Sequence, residues 1–399
     1  MSFKKIISYF KLVLSLVYSV WEKDGILGVF DHLKFFFKIR IQQCFAKQSF
    51  DLGKIVFISE CPGASMRYRC NHVVEQLQKI NIKSAAYEIS RINFESCVEA
   101  NEIIVLHRVL HTPTREKIIK SAQKKGNIFV FDTDDLIFNL EKTDSIKKLP
   151  KVQYDFLMGE FERVQKMLKL CDYAIGSTEK MKTELEKVFS KKCFVHKNMV
   201  SGWELARGLQ DHKRTRQQDN EKNKIILGYA SGTRTHDDDF LEIEDVLLRI
   251  LKKYPETKLQ IVGHLNLSPK FEKFKNQIRK KPVVNWKKLP SELSEFDINL
   301  APLEDIELNE AKSDLKFFEA ACVEVPTVAT DIGSFHENIL DGETGFLAKN
   351  DKEWFEKLEK LILDSRFRKK IGKNSQKYVQ DSRNSEKGAE SFQQIMSYF

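Results

Sequence analysis

Residues 312–330 read KSDLKFFEAACVEVPTVAT. Ser313 and Asp314 are helix-capping residue types, and they head a helix predicted over Ser313–Cys322. A short strand, Thr327–Thr330, follows Val325-Pro326. The backbone N–H groups and the positive dipole end of such a helix form an anion site suited to a diphosphate. Lys312 and Lys316 add positive charge around that end. Glu319, on the same helix, presents a carboxylate suited to a pair of ribose hydroxyls. The plainer alternative is an ordinary capped helix with solvated lysines.

Working outward, the strand Ile298–Pro302 comes before this stretch. Gly333-Ser334, Glu337, Asp341-Gly342 and Thr344-Gly345-Phe346 come after it. About eighty residues upstream, Leu227–Phe240 (LGYASGTRTHDDDF) reads as a strand, a glycine-containing turn and an acidic helix start. In that turn Ser231, Gly232 and Thr233 supply backbone N–H groups. Arg234 is placed to neutralise charge on a leaving phosphate, and His236 does the same when protonated.

Short apolar runs alternate with amphipathic stretches along most of the chain, which indicates parallel, doubly wound sheets. In the first half, strands are predicted at 54–59, 84–89, 103–106, 128–132, 173–177 and 193–196, and helices at 66–79, 114–125, 153–169 and 178–189. In the second half, strands are predicted at 225–230, 258–262, 283–286, 298–302 and 327–330, and helices at 237–253, 313–322, 352–364 and 366–379. Residues 206–223 (ARGLQDHKRTRQQDNEKN) are polar and charged, and read as a linker. The expected organisation is an extension over 1–50, a domain over 51–205, a linker over 206–223, a domain over 224–380 and a helical tail over 381–399. A ligand is expected at the carboxyl ends of the strands, in a cleft between the halves.

The stretch KSDLKFFEAACVEVPTVAT, with Gly333, Glu337, DGETGF and the helical tail, resembles the donor-nucleotide half of GT-B glycosyltransferases. The match is to the family-4 (group 1) bacterial enzymes of surface-polysaccharide synthesis. The resemblance implies an α/β fold of two Rossmann-like domains facing across a cleft, with the helical extension added at the N-terminus. It makes Glu319 the ribose ligand and Ser313, Asp314 and Leu315 the phosphate cradle. Ser231, Gly232 and Thr233 join them as donor contacts, and Arg234 and Lys316 are catalytic cations. The family places a Glu eight residues before the ribose Glu; this chain has Ala311 there and Glu310 one residue off.

In the first half, the loop Pro62–Arg69 follows the first strand and, in the resembled enzymes, faces the acceptor. Gly63 permits close backbone approach. Ser65 lies in the same loop, and Arg67 or Arg69 is available to hold an anionic group. His107 ends the strand IIVLH, where the family has a His that contacts the reacting sugar. A packing histidine is the alternative of equal weight. Asp132-Thr133-Asp134-Asp135 has the carboxylates of a metal site. Its position after the strand NIFVF favours a cleft-lining or structural role, and the resemblance implies no metal and no cofactor.

The chain has 399 residues, 42% hydrophobic and 31% charged, a globular composition of two-domain length. Its seven cysteines are scattered without a Cys-x-x-Cys pair, which excludes a disulfide scaffold and fits a reducing compartment. Neither half carries a clean G-x-G-x-x-G after its first strand, which disfavours a dehydrogenase. The net charge is +9, and +5 of it lies in residues 1–50. These hold Lys4, Lys5, Lys11, Lys23, Lys34, Lys38, Arg40 and Lys47 against Glu22, Asp24 and Asp31. The remainder is nearly balanced, so no nucleic-acid partner is expected. Residues 6–21 (IISYFKLVLSLVYSVW) have one polar helical face and no apolar run long enough to span a bilayer, nor a signal-peptide cleavage site. Together with Phe30, Leu33 and Phe35–Phe37 they suit an anionic membrane surface. The expected place is cytoplasmic, at the inner face of the cell membrane.

The function these features favour is transfer of a sugar, hexose or deoxyhexose, from a nucleotide diphosphate sugar to a hydroxyl of a lipid-linked glycan. The resemblance implies retention of configuration. The alternatives are a glycerol- or sugar-phosphate transferase of wall polymers, and a non-catalytic scaffold of the same fold. Deleting residues 2–40 is expected to release the protein from vesicles rich in anionic lipid while nucleotide binding persists. Unchanged co-sedimentation with the vesicles would refute the docking role.

Overall fold

The computed structural model describes residues 53–139, 150–218, 224–232 and 237–399, with 212–218 as backbone alone. The expected extension over 1–50 lies outside the described residues. The chain divides into two compact units, one running to His196 and including Gln394–Phe399, the other Lys197–Gln393.

The first unit holds one six-stranded sheet. Its strands are β1 (Gly53–Ser59), β2 (Ser84–Glu88), β3 (Asn101–His107), β4 (Ile128–Thr133), β5 (Tyr173–Gly176) and β6 (Cys193–Val195). They pair in parallel in the order β2-β1-β3-β4-β5-β6. Ile55–Ile58, Ile103–Leu106 and Phe129–Phe131 are buried on both faces, which is why these strands appear in the sequence as unbroken apolar runs. The order switches direction between β1 and β3, and polar groups meet at the carboxyl ends of those strands.

The second unit repeats the plan with β7 (Ile226–Ser231), β8 (Lys258–Gly263), β9 (Ile278–Lys281), β10 (Ile298–Ala301), β11 (Thr327–Thr330) and β12 (Phe346–Ala348). All are parallel, in the order β12-β11-β10-β7-β8-β9, so the switch lies between β7 and β10. Helices Glu244–Lys253 and Asp351–Leu363 bury Leu247, Ile250, Leu358 and Leu361 against this sheet. Gly263 has φ +104, and a Cβ there would stand 1.9 Å from the Ser231 carbonyl oxygen, so only glycine lets the ends of β7 and β8 close together.

Several expectations are corrected. The strand predicted over 283–286 is instead β9 at 278–281. Val283 and Trp286 are 47% and 38% exposed, and Trp286–Lys288 is a turn of 3₁₀ helix whose start Asn285 caps. β9 reads IRKK because it is an edge strand, where cations discourage further pairing. The predicted linker is helical as far as Gln218, within Gly202–Gln218, and the division between units falls at His196 rather than in 206–223. The helix predicted over 237–253 is two, Asp237–Leu241 and Glu244–Lys253. The helix after β1 contains a π-helical segment, Arg67–Asn71. The tail expected over 381–399 forms the helix Ser385–Met396 after a longer helix that ends at Ser382. β12 was not anticipated.

Gly228, inside β7, makes room for Phe296: a Cβ there would lie 2.0 Å from the ring. Gly228→Ala is expected to lower stability by about 1–3 kcal/mol, the usual cost of overpacking. Phe296→Leu in the same chain should recover part of the loss in denaturant unfolding.

Candidate functional site

In the second unit, the two sequence motifs that lie eighty residues apart meet at the β7/β10 switch. Helix Leu315–Ala321 carries Lys316 to the end of β7. There its Nζ donates to the Ala230 carbonyl at 2.5 Å and stands 4.4 Å above the Tyr229 ring. Burial pulls the Lys316 amine down to about 8, against the opposing pull of the Glu319 and Asp239 carboxylates. Glu319 lies one turn further along the same helix and is partly exposed.

Asp239 organises the surrounding loop. It is buried, accepts from the Glu304 backbone N–H (3.1 Å) and from Asn309 Nδ2 (2.8 Å), and faces Lys312 Nζ at 3.4 Å. The acidic helix start Asp237–Leu241 is thus tied to the segment after β10. Ser231 is buried at the end of β7, and its carbonyl accepts from His264 N–H. Gly232 is open: among the described residues, no heavy atom beyond its chain neighbours lies within 4 Å of where a Cβ would stand. Thr233, Arg234 and His236 lie outside the described residues.

The expected capping by Ser313 and Asp314 is not what holds this helix end. Asp314 occupies the N-cap position but makes no side-chain cap bond. Its carboxylate is buried against Arg383 at 2.8 Å, and burial raises its pKa in spite of that charge. Ser313 Oγ accepts from Asn198 Nδ2 at 3.0 Å. These two side chains therefore fasten the turn to its neighbours. Leu315 begins the helix and is partly exposed, and Ala311, where the resembled family has a Glu, is buried.

In the first unit, the β1/β3 switch carries a continuous polar chain. Arg69, 1% exposed, grips Asp132 through Nε (3.0 Å) and Nη2 (2.5 Å), and its Nη1 donates to the His196 carbonyl at 2.5 Å. Asp132 Oδ1 lies 2.9 Å from His107 Nδ1, and His107 Nε2 lies 2.9 Å from Ser65 Oγ. Ser65 Oγ donates to Asp134 Oδ2 at 2.6 Å. Arg108 faces Asp134 and Asp135, each at 3.5 Å. Burial opposes the charged form of Asp132, yet Arg69 and His107 outweigh it and hold the carboxyl at about 2. Asp134 is likewise held below its ordinary value by His107 and Arg108.

Gly63 is exposed with φ 103, and Ser65 is partly exposed just after it. Arg67, expected as an acceptor contact, is turned inward. It is buried, donates from Nη2 to the Tyr68 hydroxyl at 2.7 Å, and its guanidinium stands 4.4 Å from the centre of that ring. The π-helical turn places Arg67, Tyr68, Arg69 and Cys70 all inside. The partners of Arg69 and Arg383 lie far along the chain, and no local spacing signals them. Among the described residues, no group of three or more His, Cys, Asp or Glu side chains could hold a metal ion.

Residues 226–364 match the family described as Glycosyl transferases group 1. Over 65 residues the chain is 42% identical to the capsular polysaccharide biosynthesis glycosyltransferase CapM of Staphylococcus aureus, which covers 16% of this chain and 17% of CapM. The match thus spans under a fifth of that relative's length. HepE of Anabaena, solved with UDP and glucose, superposes with a TM-score of 0.60 at 14% identity, covering 87% of this chain and 100% of HepE. Sucrose-phosphate synthase of Thermosynechococcus elongatus gives 0.59 at 13% identity, covering 87% and 98%. At such identities the likeness establishes the fold.

The Asp314–Arg383 pair is expected to behave as a buried ion pair. Removing either partner alone should cost about 3–5 kcal/mol, and replacing both with apolar residues of similar volume should cost far less. Denaturant unfolding of the two single variants and the double variant measures this.

Proposed function

We infer that this chain, a GT-B protein whose residues 226–364 belong to the Glycosyl transferases group 1 family, transfers a sugar from a nucleotide diphosphate sugar to a hydroxyl of a growing cell-surface polysaccharide. The observation that carries this reading is the Lys316 amine at the end of β7, one turn from Glu319 and beside the open Gly232 backbone. A desolvated cation at a strand switch is suited to a diphosphate. A carboxylate at the distance of one helical turn suits the ribose that follows it.

In this reading the second unit holds the donor and the first unit receives the acceptor, a hydroxyl of a lipid-linked glycan. Lys316 and Arg234 stabilise the negative charge that develops on the departing diphosphate, so no metal ion is required. The bond from the anomeric carbon to the diphosphate breaks, and the acceptor oxygen bonds to the same face with retention. The acceptor's proton passes to the departing phosphate oxygen. The protein contributes charge stabilisation and alignment. CapM, HepE and the group 1 family support the reaction class; the hexose or deoxyhexose identity of the sugar, the lipid-linked acceptor and the retaining course are our proposals. So is docking of residues 1–50 on the inner face of the membrane. Among the described residues, no helix is long and apolar enough to cross a membrane.

A thermal-shift screen over UDP, GDP, dTDP and CDP sugars should find one that stabilises the chain. Lys316→Ala is expected to cut transfer roughly a hundredfold or more, as loss of one charge-stabilising donor does elsewhere, and Glu319→Ala to cut it roughly tenfold or more by removing the acceptor for the ribose hydroxyls. Lys316 is cationic below its value of about 8 and loses its proton above it. The kcat/KM for the donor should therefore fall as pH rises through about 8, and this limb should be missing from the residual activity of Lys316→Ala. Full activity in both variants would end the donor-site assignment.

A further inference from the structure

We propose that Ser65, rather than His107, is the group the first unit presents to a substrate hydroxyl, and that His107 is a positioning residue acting through the serine. The proposal rests on the transfer reaction inferred above and specifies how the first unit serves it.

His107 is 0% exposed, and both of its ring nitrogens are engaged, Nδ1 by Asp132 and Nε2 by Ser65. In this arrangement the imidazole has no nitrogen left for a sugar. Ser65 is the partly exposed member of the chain, directly after the exposed residues Pro62, Gly63 and Ala64.

Counting hydrogens fixes the direction of every bond. A carboxylate only accepts, and a hydroxyl has one hydrogen and two lone pairs. Asp134 Oδ2, 2.6 Å away, takes the single hydroxyl hydrogen of Ser65. The contact between Ser65 Oγ and His107 Nε2 therefore runs from an N–H on the ring into one serine lone pair. Asp132 likewise requires a hydrogen on Nδ1. Both ring nitrogens carry hydrogen, and the ring lies between the Asp132 and Asp134 carboxylates, with Asp134 Oδ1 4.0 Å from Nε2.

Ser65 Oγ is left with one lone pair, which, among the described residues, only the Cys61 thiol, a weak donor, also meets. It is held at a fixed angle by a donor behind it and an acceptor beside it. A substrate O–H entering that lone pair would displace the weaker thiol contact and be gripped and oriented. Arg69, locked onto Asp132 and the His196 carbonyl, holds the far end of the chain rigid. A precise hydroxyl contact built this way depends on every member behind it.

The test compares Ser65→Ala, Ser65→Thr, His107→Gln and Ser65→Ala/His107→Gln in the full chain, measuring transfer kinetics. Ser65→Ala and His107→Gln are each expected to lower kcat by a similar factor, roughly tenfold to a hundredfold, with the double variant no worse than either, because the two act as a unit. Ser65→Thr keeps a hydroxyl and should restore most of the rate. Near-normal activity in Ser65→Ala with a large loss in His107→Gln would overturn the proposal, since the imidazole would then meet the substrate directly. Multiplying losses in the double variant would overturn it as well. A readout free of activity uses ¹⁵N-histidine-labelled protein. Two ring N–H signals that vanish in His107→Gln are expected, and a single N–H would overturn the hydrogen count. If the wild-type chain transfers no sugar, the reaction inferred above fails, and the ring signals alone decide this proposal.

Discussion

A guanidinium taken out of water costs several kcal/mol unless acceptors replace the lost hydration. In the first unit that constraint is met by Arg69, which finds its acceptors on Asp132 at the end of β4 and on the His196 carbonyl just past β6. The rest of the site follows from this one residue. With Asp132 fixed, one ring nitrogen of His107 is fixed, and with the ring fixed, Ser65 has a single place for its oxygen. The π-helical segment makes the arrangement possible. Within it Arg67, Tyr68, Arg69 and Cys70 are all buried.

The second unit meets the same constraint differently. Lys316 rests on a neutral carbonyl and an aromatic ring, with its carboxylates further off, and so its amine is destabilised as a cation to a value of about 8. In the Asp314–Arg383 pair beside it the two charges compensate each other in direct contact at 2.8 Å, although burial still raises the Asp314 carboxyl. Of the charges gathered around this helix end, the compensated pair fastens the fold, and the uncompensated amine is the one with electrostatic work left to do on a ligand.

How much of this was legible in the sequence depended on whether a residue's role was local. The buried strands were legible because a parallel sheet covered on both faces demands runs such as IVFI and IIVL. The edge strand IRKK was not, because its solvent-side cations erase the apolar signal. The helix Gly202–Gln218 read as a linker because its inward face is built from Glu204, Gly208 and Asp211, so no apolar stripe marks it; Gly208 is there to let the helix lie against the Cys322 carbonyl. Lys316 and Glu319 were singled out by their motif, and the structure brings Lys316 to the strand at which the other motif ends. Asp314 was read as facing a ligand because sequence spacing cannot distinguish a charge aimed at a substrate from one aimed at a partner hidden elsewhere in the fold, here Arg383, and Arg67 because spacing does not show that its guanidinium folds back onto its own neighbour Tyr68.

That distinction carries a physical consequence for the amine at 316. A group held near the edge of ionisation responds to what binds beside it. A diphosphate placed against Lys316 favours the protonated form and pushes its pKa back up. Ligand charge and amine charge then stabilise each other, and each is weaker alone. A fully paired residue such as Arg383 gains little from an incoming anion, because its carboxylate already supplies that stabilisation. A donor site built on this amine, as proposed above, is selective for anions without carrying a large permanent positive potential, since part of its charge is secured by the ligand it holds.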